Sequence, residues 1–242
     1  MEDRFRELME DGLKKLEISL DDRQIDQFYR YYSLLIEWNK VMNLTAITEL
    51  DEVVTKHFID SLSLVMAVDD LDKGERSLID VGTGAGFPGI PLKIAFPNLK
   101  ITLLDSLNKR VKYLNAVIEE LGLEDIVTIH GRAEDCGRDA EHREQYDLCV
   151  SRAVANISTL SEYCLPFVKV GGYFVSYKSG KIEEELNNGK GAIKLLGGKT
   201  EHVESFSLPG SDAERAFVKI KKIEHVSKRY PRKAGLPSKE PL

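Results

Sequence analysis

The chain is expected to fold as an α/β protein with a seven-stranded, doubly wound, Rossmann-like sheet, preceded by a small helical region. Three observations predict this. From residue 77 onward, short β-rich runs alternate with helical segments. The first run leads directly into VGTGAGFPG at 81–89, a glycine-rich turn between a strand and a helix. The last two runs are separated only by LPGSD at 208–212, a turn signal that makes a terminal hairpin and hence one antiparallel strand.

Element by element, Phe5, Leu8, Met9, Leu13 and Leu16 recur at helical spacing. Ser19 or Asp21 is placed to cap a second helix that carries Ile25, Phe28, Tyr32, Leu35 and Ile36 on one face. Thr48 with Asp51 resembles a capping box for a third helix running through His57 and Leu64. The aromatic residues Phe28, Tyr31, Tyr32 and Trp38 read as core rather than as a base-stacking platform. The polar run DDLDKGER at 69–76 ends this part, so a helical region is assigned to 1–74. Strands are expected at 77–81, 100–105, 126–130, 146–151, 172–177, 200–207 and 216–222. Helices fit 89–96, 108–122, 156–165 and 181–196, and Gly171-Gly172 reads as a turn into the fifth strand. Such alternation implies a mostly parallel sheet with helices on both faces and right-handed crossovers. This catalytic-type domain is assigned to 75–224 and a basic, proline-rich tail to 225–242.

Composition narrows the classes. No run approaches about 20 apolar residues, so a membrane span is not expected. The charged start MEDRFRELMEDG is not a signal peptide. Cys136, Cys149 and Cys164 form no C-x-x-C pair and suit a reducing cytoplasm, with Cys149 a buried core thiol. Five scattered histidines give no metal-ligand spacing. The net charge of −6 is uneven: residues 1–74 carry −8 and residues 225–242 carry +4. An acidic protein with such a tail can still meet nucleic acid where the basic groups face phosphates. A monomer is expected.

The glycine run selects the ligand. Gly82 and Gly84 fit the first two places of a dinucleotide fingerprint, but Phe87 occupies the third and the other glycines fall at 86 and 89. No Gly-Lys-Ser/Thr follows, so a P-loop is a poor fit. The remaining reading is G-x-G-x-G, which holds the methionine and ribose parts of S-adenosylmethionine. Asp80 is placed to meet the methionine ammonium, directly or through water. Asp105 ends the second strand 23 positions after Gly82. It is placed to accept from the ribose hydroxyls, or else to cap the helix that follows. A seven-stranded sheet with a terminal hairpin is the usual architecture of a methyltransferase that uses this cofactor.

Ligands in such sheets sit beyond the carboxyl ends of the strands. After the third strand come Ala133 and Glu134, with Glu134 placed to read an adenine edge or to remain a solvated loop acid. After the fourth come Arg152, Ala153 and Val154. Arg152 cannot act as a base; it can clamp a phosphate or guanine edge, bind the cofactor carboxylate, or form a structural ion pair. Lys178 after the fifth strand is a candidate phosphate contact. The fourth-strand loop lacks the Pro-Pro-aromatic segment usual for amine methylation and the Pro-Cys pair that supplies a thiolate for pyrimidine C5. An aromatic nitrogen such as guanine N7 needs neither. His57, Asp60 and Ser61 share a helix face and read as a polar surface near the cofactor mouth or a hydrogen-bonded pair, not a hydrolytic triad. Asn43-Leu44-Thr45 matches a glycosylation sequon by chance and is expected in a loop over the cofactor. In the tail, Lys228, Arg229, Arg232 and Lys233 flank Tyr230, which fits either a solvated tail or an RNA-contacting segment.

Taken together, NLTAI at 43–47, KHFIDSL at 56–62, DVGTGAGFPGIPL at 80–92, LLDSLNKRVKYL at 103–114, SRAVA at 151–155 and YPRKAGLPSKEPL at 230–242 resemble the bacterial small-subunit rRNA guanine-N7 methyltransferase family, also called glucose-inhibited division protein B. The resemblance implies methyl transfer from S-adenosylmethionine to N7 of a guanine in a 16S rRNA hairpin, on naked RNA or a small-subunit particle. It also implies cofactor contacts at Gly82, Phe87, Ala133, Glu134 and Arg152, and a tail that helps hold RNA near the site. Two other functions stay open: a non-catalytic ribosome assembly factor that keeps the pocket, and a small-molecule methyltransferase with the N-terminal helices as a lid.

Overall fold

A computed structural model describes residues 1–152 and 155–242; Ala153 and Val154 of the expected SRAVA segment lie outside the described residues. Seven strands form one sheet in the order β3-β2-β1-β4-β5-β7-β6. They are β1 Arg76–Val81, β2 Leu99–Asp105, β3 Ile126–His130, β4 Tyr146–Ser151, β5 Val168–Ser179, β6 Gly198–Ser207 and β7 Glu214–Lys222. β1 to β5 are parallel, and β7 inserts antiparallel between β5 and β6.

Period-two alternation sends successive strand residues to opposite faces, and the sheet accordingly builds two cores. Leu78, Ile101, Leu103, Leu148, Val150, Val175 and Phe217 face one core. Ile79, Leu104, Cys149, Phe174, Val218 and Ile220 face the other. The first core is closed by α5 Gly89–Ala95 and α6 Asn108–Glu120, through Ile90, Leu92, Tyr113 and Val117. The second is closed by α8 Ile157–Cys164 and α9 Glu183–Leu195, through Ile157, Leu160 and Ile193. Cys149 is a buried thiol of this second core, as expected.

The N-terminal helices share the first core. α1 Glu2–Lys15 buries Phe5, Met9 and Leu13, and α2 Asp22–Met42 buries Ile25, Phe28, Tyr31 and Leu35. Asp21 is the N-cap of α2, and a full capping box with Gln24 satisfies two of its orphan amides. The Thr48–Asp51 capping box does not form. α3 Leu50–Val53 starts from Glu49 with no side-chain cap, passes through a π-turn at Val54–Ile59, and continues as α4 Asp60–Leu62 and a 3₁₀ turn at Ser63–Met66. A π-turn adds a residue to the helical repeat and often marks a functional site; here it carries His57.

Two further expectations are corrected. Gly171-Gly172 is no turn before the fifth strand but an irregularity inside β5, where the register jumps from Tyr146–Val168 to Leu148–Tyr173. The tail is not solvated throughout. It packs on the domain and ends in a short turn, α10 Leu236–Lys239. α7 Ala133–Cys136, one turn after β3, is too short to be marked by periodicity.

Candidate active site

The strand order reverses between β1 and β4, and the carboxyl ends of the strands at that edge border two adjoining cavities. The smaller, about 220 Å³, is lined by Val81 and Gly82 after β1, Asp105 at the end of β2, Ala133 and Glu134 in α7, and Leu160 and Tyr163 of α8. The larger, about 600 Å³, is lined by Lys56, His57, Asp60, Arg152, Lys178 and Arg215 among others. Ala155 belongs to both walls.

The glycines serve different ends. Gly82 and Gly84 have φ of 74° and 63°, and a Cβ at either would meet nothing closer than 4.0 Å. Their backbone therefore borders open space in a conformation that L side chains adopt at a cost. Gly86 and Gly89 are packing glycines: a Cβ at Gly86 would fall 2.6 Å from the Tyr31 hydroxyl, and one at Gly89 would collide with Leu103. Tyr31, read from the sequence only as core, also donates its hydroxyl to the Ala85 carbonyl at 2.5 Å. The N-terminal region thus props the loop directly.

Asp80 is fully buried at the foot of this loop. Its Oδ2 accepts from the Thr83 hydroxyl at 2.6 Å and the Gly89 amide at 2.9 Å. Its Oδ1 is buried with no partner among the described residues. Burial pushes its carboxyl up to about 6, partly offset by those two hydrogen bonds. Asp105 Oδ2 accepts from the Gly84 amide at 3.0 Å and lies 3.4 Å from Arg110 Nη1, while Oδ1 accepts from the Leu107 amide at 2.9 Å. Asp105 is not the N-cap of α6, a position that falls to Leu107. Each carboxylate oxygen has two acceptor sites, so Oδ1 keeps capacity for a ligand hydroxyl.

Of the expected cofactor residues, the structure gathers Gly82, Asp105, Ala133 and Glu134 around the smaller cavity. Gly84 adjoins it through its bond to Asp105. Phe87 is outside its lining; the ring is buried, stacks on His57 at 4.5 Å and lies 5.0 Å from the Arg152 guanidinium carbon. Arg152 lines the larger cavity instead. Glu134 is not a solvated loop acid: it is buried, and one oxygen accepts the Gly235 amide of the tail at 2.7 Å.

In the larger cavity, buried Asp60 takes Arg152 Nη1 at 2.8 Å and Arg215 Nε at 2.7 Å. Arg152 also places Nη2 3.3 Å from His57 Nδ1. The same Nδ1 lies 3.2 Å from the Lys56 carbonyl, and Nε2 lies 2.9 Å from the Thr45 hydroxyl, so both ring nitrogens have protein partners. Burial, and then the Arg152 charge, push His57 down to about 3. Thr45 thus belongs with His57, and residues 43–45 line neither cavity. Lys178 reaches this cavity but is paired with Glu185 at 2.6 Å and donates to the Ala155 carbonyl.

The tail residues separate. Arg229 and Lys233 are exposed, as is Lys228. Arg232 is committed inward: its guanidinium binds both oxygens of Glu162, at 3.0 Å from Nε to Oε1 and 2.7 Å from Nη2 to Oε2, and its amide adds 2.7 Å to Oε1. Glu162 is fully buried. Sequence reasoning also missed Arg215, because nothing local in β7 shows that a hairpin strand will bring it to a residue 155 positions earlier.

Comparison with known proteins places this geometry. Residues 24–218 match the GidB family, rRNA small subunit methyltransferase G. The chain is 54% identical over 235 residues to the ribosomal RNA small subunit methyltransferase G of Alkaliphilus metalliredigens, covering 97% of this chain and 98% of the relative. It is 52% identical to that of Thermoanaerobacter sp. over the full length of both. Among solved structures, the YcgJ protein of Bacillus subtilis superposes with a TM-score of 0.53 at 12% identity, covering 69% of this chain and 100% of that one. TYW2 of M. jannaschii, solved in complex with AdoMet, gives 0.51 at 19% identity, covering 63% and 71%. At those identities the two structures speak to the fold, which they share with this sheet.

Proposed function

The chain belongs to the rRNA small subunit methyltransferase G family, and on that premise we propose that it transfers a methyl group from S-adenosylmethionine to N7 of a guanine in 16S rRNA, the position numbered 527. It is an rRNA methyltransferase by that membership; the atom, the position and the cofactor contacts are our reading. The observation that carries N7 is the make-up of the larger cavity. Among the described residues it offers guanidinium and ammonium groups but no thiol; its carboxylates are engaged, Asp60 by two arginines and Glu185 by Lys178, and both ring nitrogens of its His57 are occupied, by Arg152 and Lys56 on one side and Thr45 on the other. No group there is free to deprotonate an amine or attack a pyrimidine ring. Guanine N7 presents a lone pair and requires neither service.

The residues of the smaller cavity fit the cofactor. Beneath the glycine loop and outside that lining, Asp80 Oδ1, buried and unpartnered among the described residues, suits the methionine ammonium. Gly82 borders the cavity with bare backbone and Gly84 adjoins it through Asp105, Asp105 suits the ribose hydroxyls, and Ala133 and Glu134 suit the adenine edge. The cavity is below the roughly 300–1,000 Å³ of common ligand pockets, so it suits the nucleoside part, with the remainder lying over the glycine loop. When bound, S-adenosylmethionine supplies an electrophilic methyl group on a sulfonium. The protein's part is alignment: the loop fixes one reactant, and the cationic cleft beside Arg152 fixes the other against it. Phe87, with one face on His57 and the Arg152 guanidinium 5.0 Å from its ring, supports the Arg152 side of the larger cavity from behind.

We further propose that the helical region 1–74 supports the loop, that 75–224 carries the chemistry, and that the exposed Lys228, Arg229 and Lys233 of the tail meet RNA phosphates. The protein would then act as a monomer in the cytoplasm, where ribosomal subunits are made. The test is borohydride and aniline cleavage followed by primer extension on 16S rRNA from cells with and without the gene. A stop that depends on the gene supports the assignment. An unchanged pattern, with RNA binding intact, would favour an assembly factor that has kept its pocket.

A further inference from the structure

Asp60 joins three parts of the chain that the sequence keeps far apart: the helix after the π-turn, the end of β4, and the start of β7. Its two oxygens are divided, Oδ2 to Arg152 at 2.8 Å and Oδ1 to Arg215 at 2.7 Å. Asp60 itself is buried, while the two arginine side chains are 17% and 21% exposed on the cavity side. Both guanidinium groups line the 600 Å³ cavity next to the cofactor pocket. One carboxylate shared by two guanidiniums leaves a net positive charge there. The two lysines of the same cavity, Lys56 and Lys178, are each matched by a glutamate, Glu52 and Glu185, and add none. Arg215 spends Nε on Asp60 and Nη1 on the Glu214 carbonyl, and among the described residues Nη2 has no protein acceptor.

From this geometry we infer that Arg215 is a substrate-binding residue, which takes a phosphodiester oxygen of the RNA beside the target nucleotide, and that Asp60 is the positioning residue that holds Arg215 and Arg152 as a pair. The inference rests on the RNA-methylating reading above and adds to it a residue and an anchor. A phosphate fits the pair better than a base edge. Guanidinium recognition of guanine in its common bidentate form engages both O6 and N7, and a donor on N7 would occupy the lone pair that must accept the methyl group. A phosphate contact fixes the nucleotide without touching that lone pair. Asp60 supplies the order: an arginine stem is long and flexible, and fixing its Nε orients the planar fork before RNA arrives.

The test uses the full chain, unmodified small ribosomal subunits, and Arg215→Gln, Arg215→Lys and Asp60→Asn variants. Binding is measured from about 50 to about 200 mM salt, together with RNA KM, kcat, cofactor Kd and thermal stability. Removing one phosphate contact should flatten the slope of log affinity against log salt by about 0.7–0.9. It should also raise the RNA KM about 10- to 100-fold, as expected for a hydrogen bond to a charged group. Cofactor Kd should stay within about twofold for Arg215→Gln, and Arg215→Lys should recover the slope because a point charge serves a phosphate. Asp60→Asn should raise RNA KM with the slope kept, since both cations remain but lose their anchor. A purely structural role would lower thermal stability and leave the slope unmoved. If the wild type transfers methyl to the subunits while Arg215→Gln keeps the wild-type slope and KM, this inference falls and the function stands. If the wild type transfers none, both fall together.

Discussion

Replacing Arg232 by alanine separates two roles for the tail. Were Arg232 a phosphate contact, its loss would weaken RNA binding and leave the fold untouched. The structure instead seats it on Glu162, whose carboxylate is fully buried and takes three side-chain bonds and one amide bond from this residue. Breaking one partner of a buried pair costs about 3–5 kcal/mol, since the other charge is left uncompensated. The alanine variant keeps the Arg232 amide on Glu162, and a loosened tail would let water reach the carboxylate, so the lower end, about 3 kcal/mol, applies. For a chain of 242 residues, each kcal/mol moves Tm by about 2–4 °C, which gives a fall of about 6–12 °C. Circular dichroism melting at pH 7.5 reads this directly. A paired Arg232→Met, Glu162→Leu variant should regain most of the loss, because it removes the orphan charge along with its partner. The reasoning is refuted by a Tm within 2 °C of the wild type accompanied by a flatter salt dependence of RNA binding.

Three other outcomes are expected. Gly82→Asp should weaken S-adenosylmethionine binding at least 100-fold by calorimetry while Tm falls only a few degrees, because the side chain enters open space at φ 74° and aspartate tolerates that region at a cost of about 1–2 kcal/mol; wild-type affinity would remove the assigned pocket. Asp80, pushed up to about 6 by burial, is charged above that pH and neutral below it, so affinity for the ammonium-bearing cofactor should fall about tenfold per unit as pH drops below 6, and Asp80→Asn should be weak and flat across the same range; a constant wild-type Kd between pH 7.5 and 5 contradicts the contact. His57, pushed down to about 3 from an unfolded value near 6.5, stays neutral in the folded protein while the unfolded chain takes up a proton below 6.5; its contribution to stability is therefore full above 6.5 and is lost as pH falls toward 3, and His57→Gln should show a shallower decline of Tm with pH over that window.

The sheet was legible because its signals are local. Each strand and each of the four longer helices of the sheet domain carries its own periodicity, and observed bounds differ from the expected ones mainly at ends, except where β5 runs through Gly171-Gly172. The G-x-G-x-G run was legible for the same reason, and so were Asp105 and Glu134: strand ends in a parallel sheet converge on one edge, so position along the chain implies position in space. The cap on α2 could be read from Asp21, but the irregular helix around His57 could not, since a π-turn has no pattern of its own in the side-chain sequence.

The sequence by itself determined the fold class, the glycine loop at the sheet's carboxyl edge and the family, because those rest on short-range spacing and on motifs a few residues long. Tertiary structure alone decided which charges are available. Arg232 and Lys233 are neighbours of the same sign, yet one is bound to a buried glutamate and the other faces solvent. Asp60 and Arg215 carry no mark of each other in sequence, yet share a 2.7 Å bond. A charged side chain ends where burial and the nearest opposite charge put it, and both depend on parts of the chain that meet only after folding.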